Sequence, residues 1–432
     1  MAIRIPGPFS LAVALVLAAT ASAFGQDPSR SRPEAAAMSS ARLARMDTVM
    51  QAFVDSSRTA GIAILLLRDG RVVKSGAWGW ADVEARRPLE MSSLFRIASQ
   101  TKAVTSVAAM MLVEEGSLRL ADPVHRWVPA FAEVMVASDS GSTPARRPIT
   151  IRDLLTHTSG LSYGTESDVR QIYEAAGLGP AAGHGWYFAD KDEPICTTMD
   201  RLGTLPLVAQ PGERFVYGYS TDLLGCVIER VSGRTLDEFF RDRIFRPLRM
   251  NDTWFFVPAA QRPRLSVVYA AGRQGLQRAP EGATGQGAYV DGPRASYSGG
   301  AGLVSTIGDY ARFLQMLLNG GELDGARILS PNSVSLMTAD HLGATYTQPG
   351  LGFGLGFQIV EDPALAGRHG APGAYGWGGA YATTYWVDPA ERLVALIMTQ
   401  TLPSGGLDVA DRFRALVYSA ITEPAGRRSL RQ

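Results

Sequence analysis

Lysine is scarce in this chain: 39 of its 42 basic residues are arginine, and only Lys74, Lys102 and Lys191 are lysine. Cysteine is scarcer. Cys196 and Cys226 stand alone among 432 residues, so no disulfide framework holds the fold together. Spacing does not reveal whether their β-carbons approach; the favoured expectation is a helical Cys226 and a loop Cys196 that never meet, with a single bridge as the alternative. A surplus of one charge is missing too. The 42 basic residues face 41 acidic ones without basic clusters, which argues against nucleic acid or an anionic membrane surface as partner. Beyond the N-terminus no apolar run is long enough to span a bilayer. The five histidines, His125, His157, His184, His341 and His369, lack a ligand spacing such as His-Glu-x-x-His, so no metal and no cofactor is expected.

What is present begins with an address. Residues 1–23 combine Arg4, an apolar run over 11–19 and the small residues Ala21-Ser22-Ala23, which predicts a secretory signal cleaved near Ala23 and an exported, periplasmic or secreted product. A retained anchor is the lesser alternative, because the run is shorter than the ~20 residues a span requires. Residues 26–37 read as a mobile tail. Leu43, Met46, Val49, Met50 and Phe53 then mark one helical face, and runs at 61–67 and 72–80 read as two strands joined through Asp69-Gly70. At the far end, 355–360, 382–387 and 393–399 read as strands and 409–421 as a helix. Helix starts dominate the middle: Thr150, Thr235 and Thr306 each precede an acid by three residues, and Ser330 precedes Pro331. Residues 138–147 and 272–292 read as loops. The economical architecture is α+β: one antiparallel sheet formed from both ends of the chain, residues 38–115 and 300–424, flanked by helices, with a mostly helical region, 116–299, inserted between them.

Lys102 is out of keeping with its neighbours. Residues 96–116 read RIASQTKAVTSVAAMMLVEEG, and the apolar positions Ala103, Val104, Val107, Ala108, Met111 and Leu112 build a helix for burial, stopped by Gly116. Arginine would serve a surface charge as well but cannot give up its proton, whereas a lysine withdrawn from water can. Ser99 lies three positions earlier, about one turn away on the same face. A serine hydroxyl is a weak nucleophile until a base is held against it, and an amide at a helix start can face an oxyanion. The pattern occurs once, since Arg71 and Phe188 stand three positions before the other lysines. On residues alone it fits a catalytic pair and a chance pattern with a snorkelling lysine equally well.

Further motifs follow in order. Ser99-Gln100-Thr101-Lys102 comes after a hairpin and Leu94-Phe95-Arg96-Ile97-Ala98; residues 149–161 read ITIRDLLTHTSGL; and 211–233, 298–313 and Trp377-Gly378-Gly379 before Tyr385-Trp386-Val387-Asp388-Pro389 complete the set. From about Met46 to Thr399 the chain resembles the serine β-lactamase and penicillin-binding-protein superfamily, in particular the class C β-lactamase-like family VIII carboxylesterases. The resemblance implies a β-lactamase-like fold, Ser99 as nucleophile, Lys102 as its base, and Tyr217 of Tyr217-Gly218-Tyr219 as a second base. It also implies an oxyanion hole made by the backbone N–H groups of Ser99 and Ala380, the latter following a glycine-rich strand.

Two departures from the family pattern bear on substrate. Trp377 stands where carboxylate-binding relatives carry lysine, and Tyr219 replaces an asparagine that can bond an amide. The resemblance then implies an aromatic-walled pocket of Tyr219 and Trp377, beside Gly378 and Gly379, suited to short-chain or apolar esters. The expected partner is a small-molecule ester, cleaved through an acyl-enzyme on Ser99. A β-lactamase or D-Ala-D-Ala peptidase would use the same chemistry, a noncatalytic penicillin-binding-like module would not, and transfer to an acceptor alcohol is compatible with the same site. Gly160-Leu161-Ser162-Tyr163-Gly164 matches Gly-x-Ser-x-Gly but follows a helical run rather than a strand, so Ser162 is expected in a turn. His157 is expected to pack or hydrogen-bond, and Gly352 to Gly356 to enter a strand.

Overall fold

The computed structural model describes residues 1, 32–138, 141–178, 188–272, 275–282, 285–403 and 406–426; the expected leader beyond Met1, and His184, lie outside them. After a single turn of helix at Ser40–Leu43, the first long helix, α1 (Arg45–Asp55), buries Met46, Met50 and Phe53 as their spacing requires. It leads into β1 (Gly61–Arg68) and β2 (Arg71–Asp82), whose turn places Asp69 at φ +54° and Gly70 at φ +72°. Two left-handed residues in succession match the twist of the strands they join. A short β3 (Arg87–Pro88) follows, and the remaining strands come from the far end: β4 (Leu351–Phe353), β5 (Gln358–Val360), β6 (Tyr375–Gly379), β7 (Thr383–Asp388) and β8 (Leu393–Met398). They assemble in the order β4-β5-β6-β7-β8-β1-β2-β3, antiparallel throughout. The seam between chain ends is β1 on β8, with Ala63 opposite Met398 and Arg68 opposite Leu393.

Because side chains alternate across a sheet, register decides what each face buries. Ile62, Ile64, Leu66, Trp386 and Ala395 share one face with α1 and α5 (Val409–Ser419). Leu65, Leu396 and Tyr385 share the other with α2 (Thr101–Glu114) and α4 (Ile307–Leu318). In α2 twelve of fourteen residues are buried. Each large aliphatic there contributes about 1.5–3 kcal/mol, which holds the helix against the sheet despite its one lysine.

Several expectations are corrected. Residues 355–360 are not one strand: β4 and β5 are separated by a tight turn in which the Gly354 amide donates to the Phe357 carbonyl at 2.8 Å. Gly356 at φ +96° has no room for a β-carbon, which would sit 2.2 Å from Ser106 Oγ on α2. Both stretches read as loops contain hairpins, Met135–Ser138 with Gly141–Pro144 and Tyr269–Gly272 with Gly275–Arg278. The tail is pinned from Pro33 onward. Pro33–Ala36 forms a 3-10 turn, and the buried Arg68 guanidinium donates to the carbonyls of Ala36 (3.2 Å) and Ala37 (2.9 Å). The cysteines do meet: helix Ile195–Leu202 packs on α3 (Ser220–Ser232), bringing Cys196 and Cys226 to a Cα separation of 5.0 Å in a disulfide. Capping boxes close at Thr150 and Thr235. At Thr306 only half forms, since the Asp309 carboxylate accepts instead from the Asp252 amide and Thr253.

Candidate active site

The segment carrying Ser99 is turned by its backbone. Phe95–Arg96 pairs with Val304–Ser305, the Ile97 amide donates to Leu303, and Ala98 then adopts φ +43°. A left-handed alanine costs about 1–2 kcal/mol, and here it ends the strand abruptly and starts the 3-10 turn Ala98–Gln100 that feeds α2. Ser99 thus sits in a helical first turn, 5% exposed, with Lys102, 2% exposed, below it. The Lys102 ammonium donates to Ser99 Oγ at 3.3 Å, to Tyr163 OH at 3.0 Å and to the Gly300 carbonyl at 2.8 Å. Its three donors are all used within the protein, and none points to bulk water.

Three other segments converge on that nitrogen. Tyr217 comes from the loop before α3, and its ring centroid lies 4.7 Å from Lys102 Nζ while its hydroxyl accepts from Trp377 Nε1 at 3.1 Å. Tyr163 approaches from the other side, its ring edge-on to that of Tyr217 at 5.7 Å. The two loops touch because Gly218 lacks a side chain: a β-carbon there would lie 2.2 Å from the Leu161 carbonyl oxygen. The third segment, 298–303, is held by Asp222 of α3, whose carboxylate accepts from Ser298 Oγ (2.5 Å) and the Gly300 amide (3.1 Å). Burial pushes the Asp222 carboxyl above its ordinary range, with the Lys102 charge opposing. Burial likewise lifts the Tyr163 hydroxyl far above its usual value, so it stays protonated at neutral pH.

β6 forms the remaining wall. Gly379 passes so close that a β-carbon would lie 2.5 Å from the Ile97 carbonyl oxygen, which sets Ala380 against the turn bearing Ser99. Ser99, Tyr217, Trp377, Gly378, Gly379 and Ala380 all line one cavity of about 560 Å³. Tyr219 does not join them as expected. It is 1% exposed, stands behind Tyr163 with ring centroids 4.8 Å apart, and its hydroxyl is committed to the Leu178 carbonyl at 2.7 Å. A buried phenol must find an acceptor, and that requirement draws it away from the cavity. Ser162 is equally committed, donating to Glu166 and accepting from the Gly164 amide at 2.8 Å, in the turn expected of it. His157 packs its ring against Tyr217 at 4.9 Å; burial, reinforced by the Lys102 charge, holds its pKa well below the ordinary value, so it remains neutral.

The arrangement can polarise one hydroxyl, pass a proton between two neighbouring groups, and stabilise developing negative charge beside a strand, which are the requirements of acyl transfer.

The chain is similar to several known proteins. Esterase EstB of Burkholderia gladioli is 34% identical, with 90% of this chain and 98% of that protein covered. A putative D-alanyl-D-alanine carboxypeptidase of Escherichia coli O157:H7 is 28% identical over 86% of this chain and 85% of its own. Among solved structures, EstCE1, described as a hydrolase with promiscuous acyltransferase activity, superposes with a TM-score of 0.76 at 30% identity, covering 88% of this chain and 99% of its own. The Beta-lactamase family profile matches residues 46–419. The chain belongs to that family, with a β-lactamase-like α+β fold, and is a serine hydrolase.

Proposed function

We propose that the enzyme is a carboxylesterase in which Ser99 is the nucleophile, Lys102 and Tyr217 move its proton, and the amides of Ser99 and Ala380 hold the oxyanion. The observation that carries this reading is the buried contact between Lys102 Nζ and Ser99 Oγ at 3.3 Å, behind the cavity that Ser99, Tyr217 and Ala380 line. The step requires Nζ as a neutral amine that keeps its bonds to Tyr163 and the Gly300 carbonyl and turns its lone pair to Ser99; the Ser99 proton then passes to it as Oγ bonds to the ester carbonyl carbon. The carbonyl electron pair moves onto oxygen between the two amides. Collapse breaks the ester C–O bond, and the leaving alkoxide takes a proton relayed through Tyr217. Water then repeats the sequence on the acyl-enzyme and frees Ser99.

Trp377 favours an uncharged group beside the reacting bond, because an indole has no positive charge to pair with a carboxylate and its N–H is already given to Tyr217 OH at 3.1 Å. The esterase names among the relatives support the same preference. We read the protein as exported, and the Cys196–Cys226 disulfide supports an oxidising compartment. The test compares wild type, Ser99→Ala and Ser162→Ala on short p-nitrophenyl esters, nitrocefin and a D-Ala-D-Ala peptide. Ser99→Ala should lose turnover, Ser162→Ala should keep it, and esters should lead; faster turnover of the lactam or peptide would reverse the substrate assignment.

A further inference from the structure

The cavity does not end at Ser99. β6 meets β5 only through Tyr375 and Gly376, so among the described residues the outer edge of Trp377, Gly378 and Gly379 carries no strand. Around that edge the cavity reaches the opposite face of the sheet. Gly376 lies opposite Trp386 on one side and Gln358 on the other, and Gly376, Gly378, Gln358 and Trp386 all line the cavity. Leu407 and Ala410 give this rear chamber apolar walls, and Arg368 and Arg414 line it as well.

Neither arginine has an ion-pair partner among the contacts of the described residues. Arg414 is 8% exposed, stacks over Trp386 with its guanidinium carbon 4.2 Å from the ring centroid, and donates to the His369 carbonyl at 3.3 Å. Arg368 is half-buried and donates to Gln358 Oε1 at 2.9 Å. Asp411 acts on both from a longer range, and the two guanidiniums stand near enough for Arg368 to repel Arg414. Burial brings Arg414 down to about 10. Two desolvated like charges face Asp411 and, for Arg414, also Asp388, whose carboxylate is already taken by the Tyr418 hydroxyl and the Ala371 and Glu391 amides, so neither guanidinium is directly paired and an anion of matching shape would relieve their repulsion.

We propose that this chamber binds the terminal carboxylate of an extended acyl chain, making long ω-carboxy acyl esters preferred substrates. The proposal rests on Ser99 as the acylated residue. From Ala380 to Gly376 is four residues of strand, about 13 Å, roughly the length of an extended ten-carbon chain. The methylenes lie against Trp386, Leu407 and Ala410, and the carboxylate reaches Arg368 and Arg414. This anion sits well away from the reacting bond, where Trp377 still favours a neutral group.

The test uses two p-nitrophenyl esters of sebacic acid, one with its far carboxyl free and one with it methylated. In wild type the free acid should show at least tenfold higher kcat/KM, with the ratio shrinking as salt is added. Arg368→Gln should bring the ratio close to one, and Arg414→Lys should lower it while retaining the stacked cation. A wild-type ratio near one, or one undiminished in Arg368→Gln, overturns the proposal. Hydrolysis of neither ester would defeat the esterase reading instead; calorimetric titration with monomethyl sebacate then decides the chamber. Binding to wild type that is lost in Arg368→Gln supports it, and no binding to wild type rejects it.

Discussion

Asp222 and Lys102 grip the same residue from opposite ends: Asp222 accepts from the Gly300 amide at 3.1 Å, and the Gly300 carbonyl accepts from Lys102 Nζ at 2.8 Å. The carboxylate therefore sets where Nζ points without meeting substrate. Asp222→Ala removes the one oxygen, Oδ1, that accepts from both Ser298 Oγ and the Gly300 amide, loosening the 298–300 turn. We expect kcat to fall about tenfold, near 1.4 kcal/mol of transition-state stabilisation, with KM within twofold. Unchanged kcat in a folded variant would remove Asp222 from this role; a matching rise in KM would place its effect on binding.

Tyr217→Phe separates the hydroxyl from the ring. The packing against His157 at 4.9 Å and Trp377 at 5.4 Å survives, so the melting temperature should hardly move. If the hydroxyl relays the proton, kcat/KM on p-nitrophenyl acetate should drop by about 10²–10⁴. A loss below threefold would leave Lys102 to act alone.

Glu229, near the end of α3, predicts a pH-dependent stability. Burial lifts it from the ordinary 4.5 to about 7, against the opposing Leu236 amide bond and the Arg230 charge. Between those two values the native protein keeps a proton that the unfolded chain releases, so stability should fall as pH rises across the window and level off above it. Glu229→Gln retains an acceptor for Leu236 and removes the titration. Its stability advantage over wild type should grow from pH 4.5 to 7, by about 3 kcal/mol at most. Parallel unfolding curves for the two proteins would contradict this. Asp309, raised from 3.8 to about 6, adds a smaller fall lower on the scale.

Cys196 and Cys226 are separated by 30 positions, a loop whose closure is worth about 3–4 kcal/mol in the chain-entropy account. Replacing both by alanine should lower the urea midpoint accordingly. Turnover at 25 °C should stay within twofold, because neither cysteine lines the cavity. A midpoint equal to wild type would mean the bridge constrains nothing that unfolding releases.

Much of this molecule was legible because its signals are local. The Asp69-Gly70 turn, the capping threonines and the three-residue step from Ser99 to Lys102 depend on neighbours within a few positions. Tyr163 and Gly300 could not be found that way, since they reach Lys102 from 61 and 198 positions away, through loops that only tertiary packing brings together. Asp222 was findable by the reasoning that singled out Lys102, an ionisable residue in an apolar run. It was hidden because an acid in the first turn of a helix has an ordinary explanation in the helix dipole. Tyr219 went astray for a related reason: spacing places a phenol in a loop but does not say which carbonyl its hydroxyl will choose. The Leu178 carbonyl that claims it lies 41 positions upstream.

The seam of β1 on β8 has a consequence for biogenesis. Arg68 finds its partner Leu393 only after 324 intervening residues have been made, so the central ladder cannot close while the chain is still emerging from the ribosome. Until then β1, apolar on both faces, has no neighbour on that side. Such late closure leaves that edge of β1 without its native partner, and open to pairing with other strands, for most of the chain's synthesis.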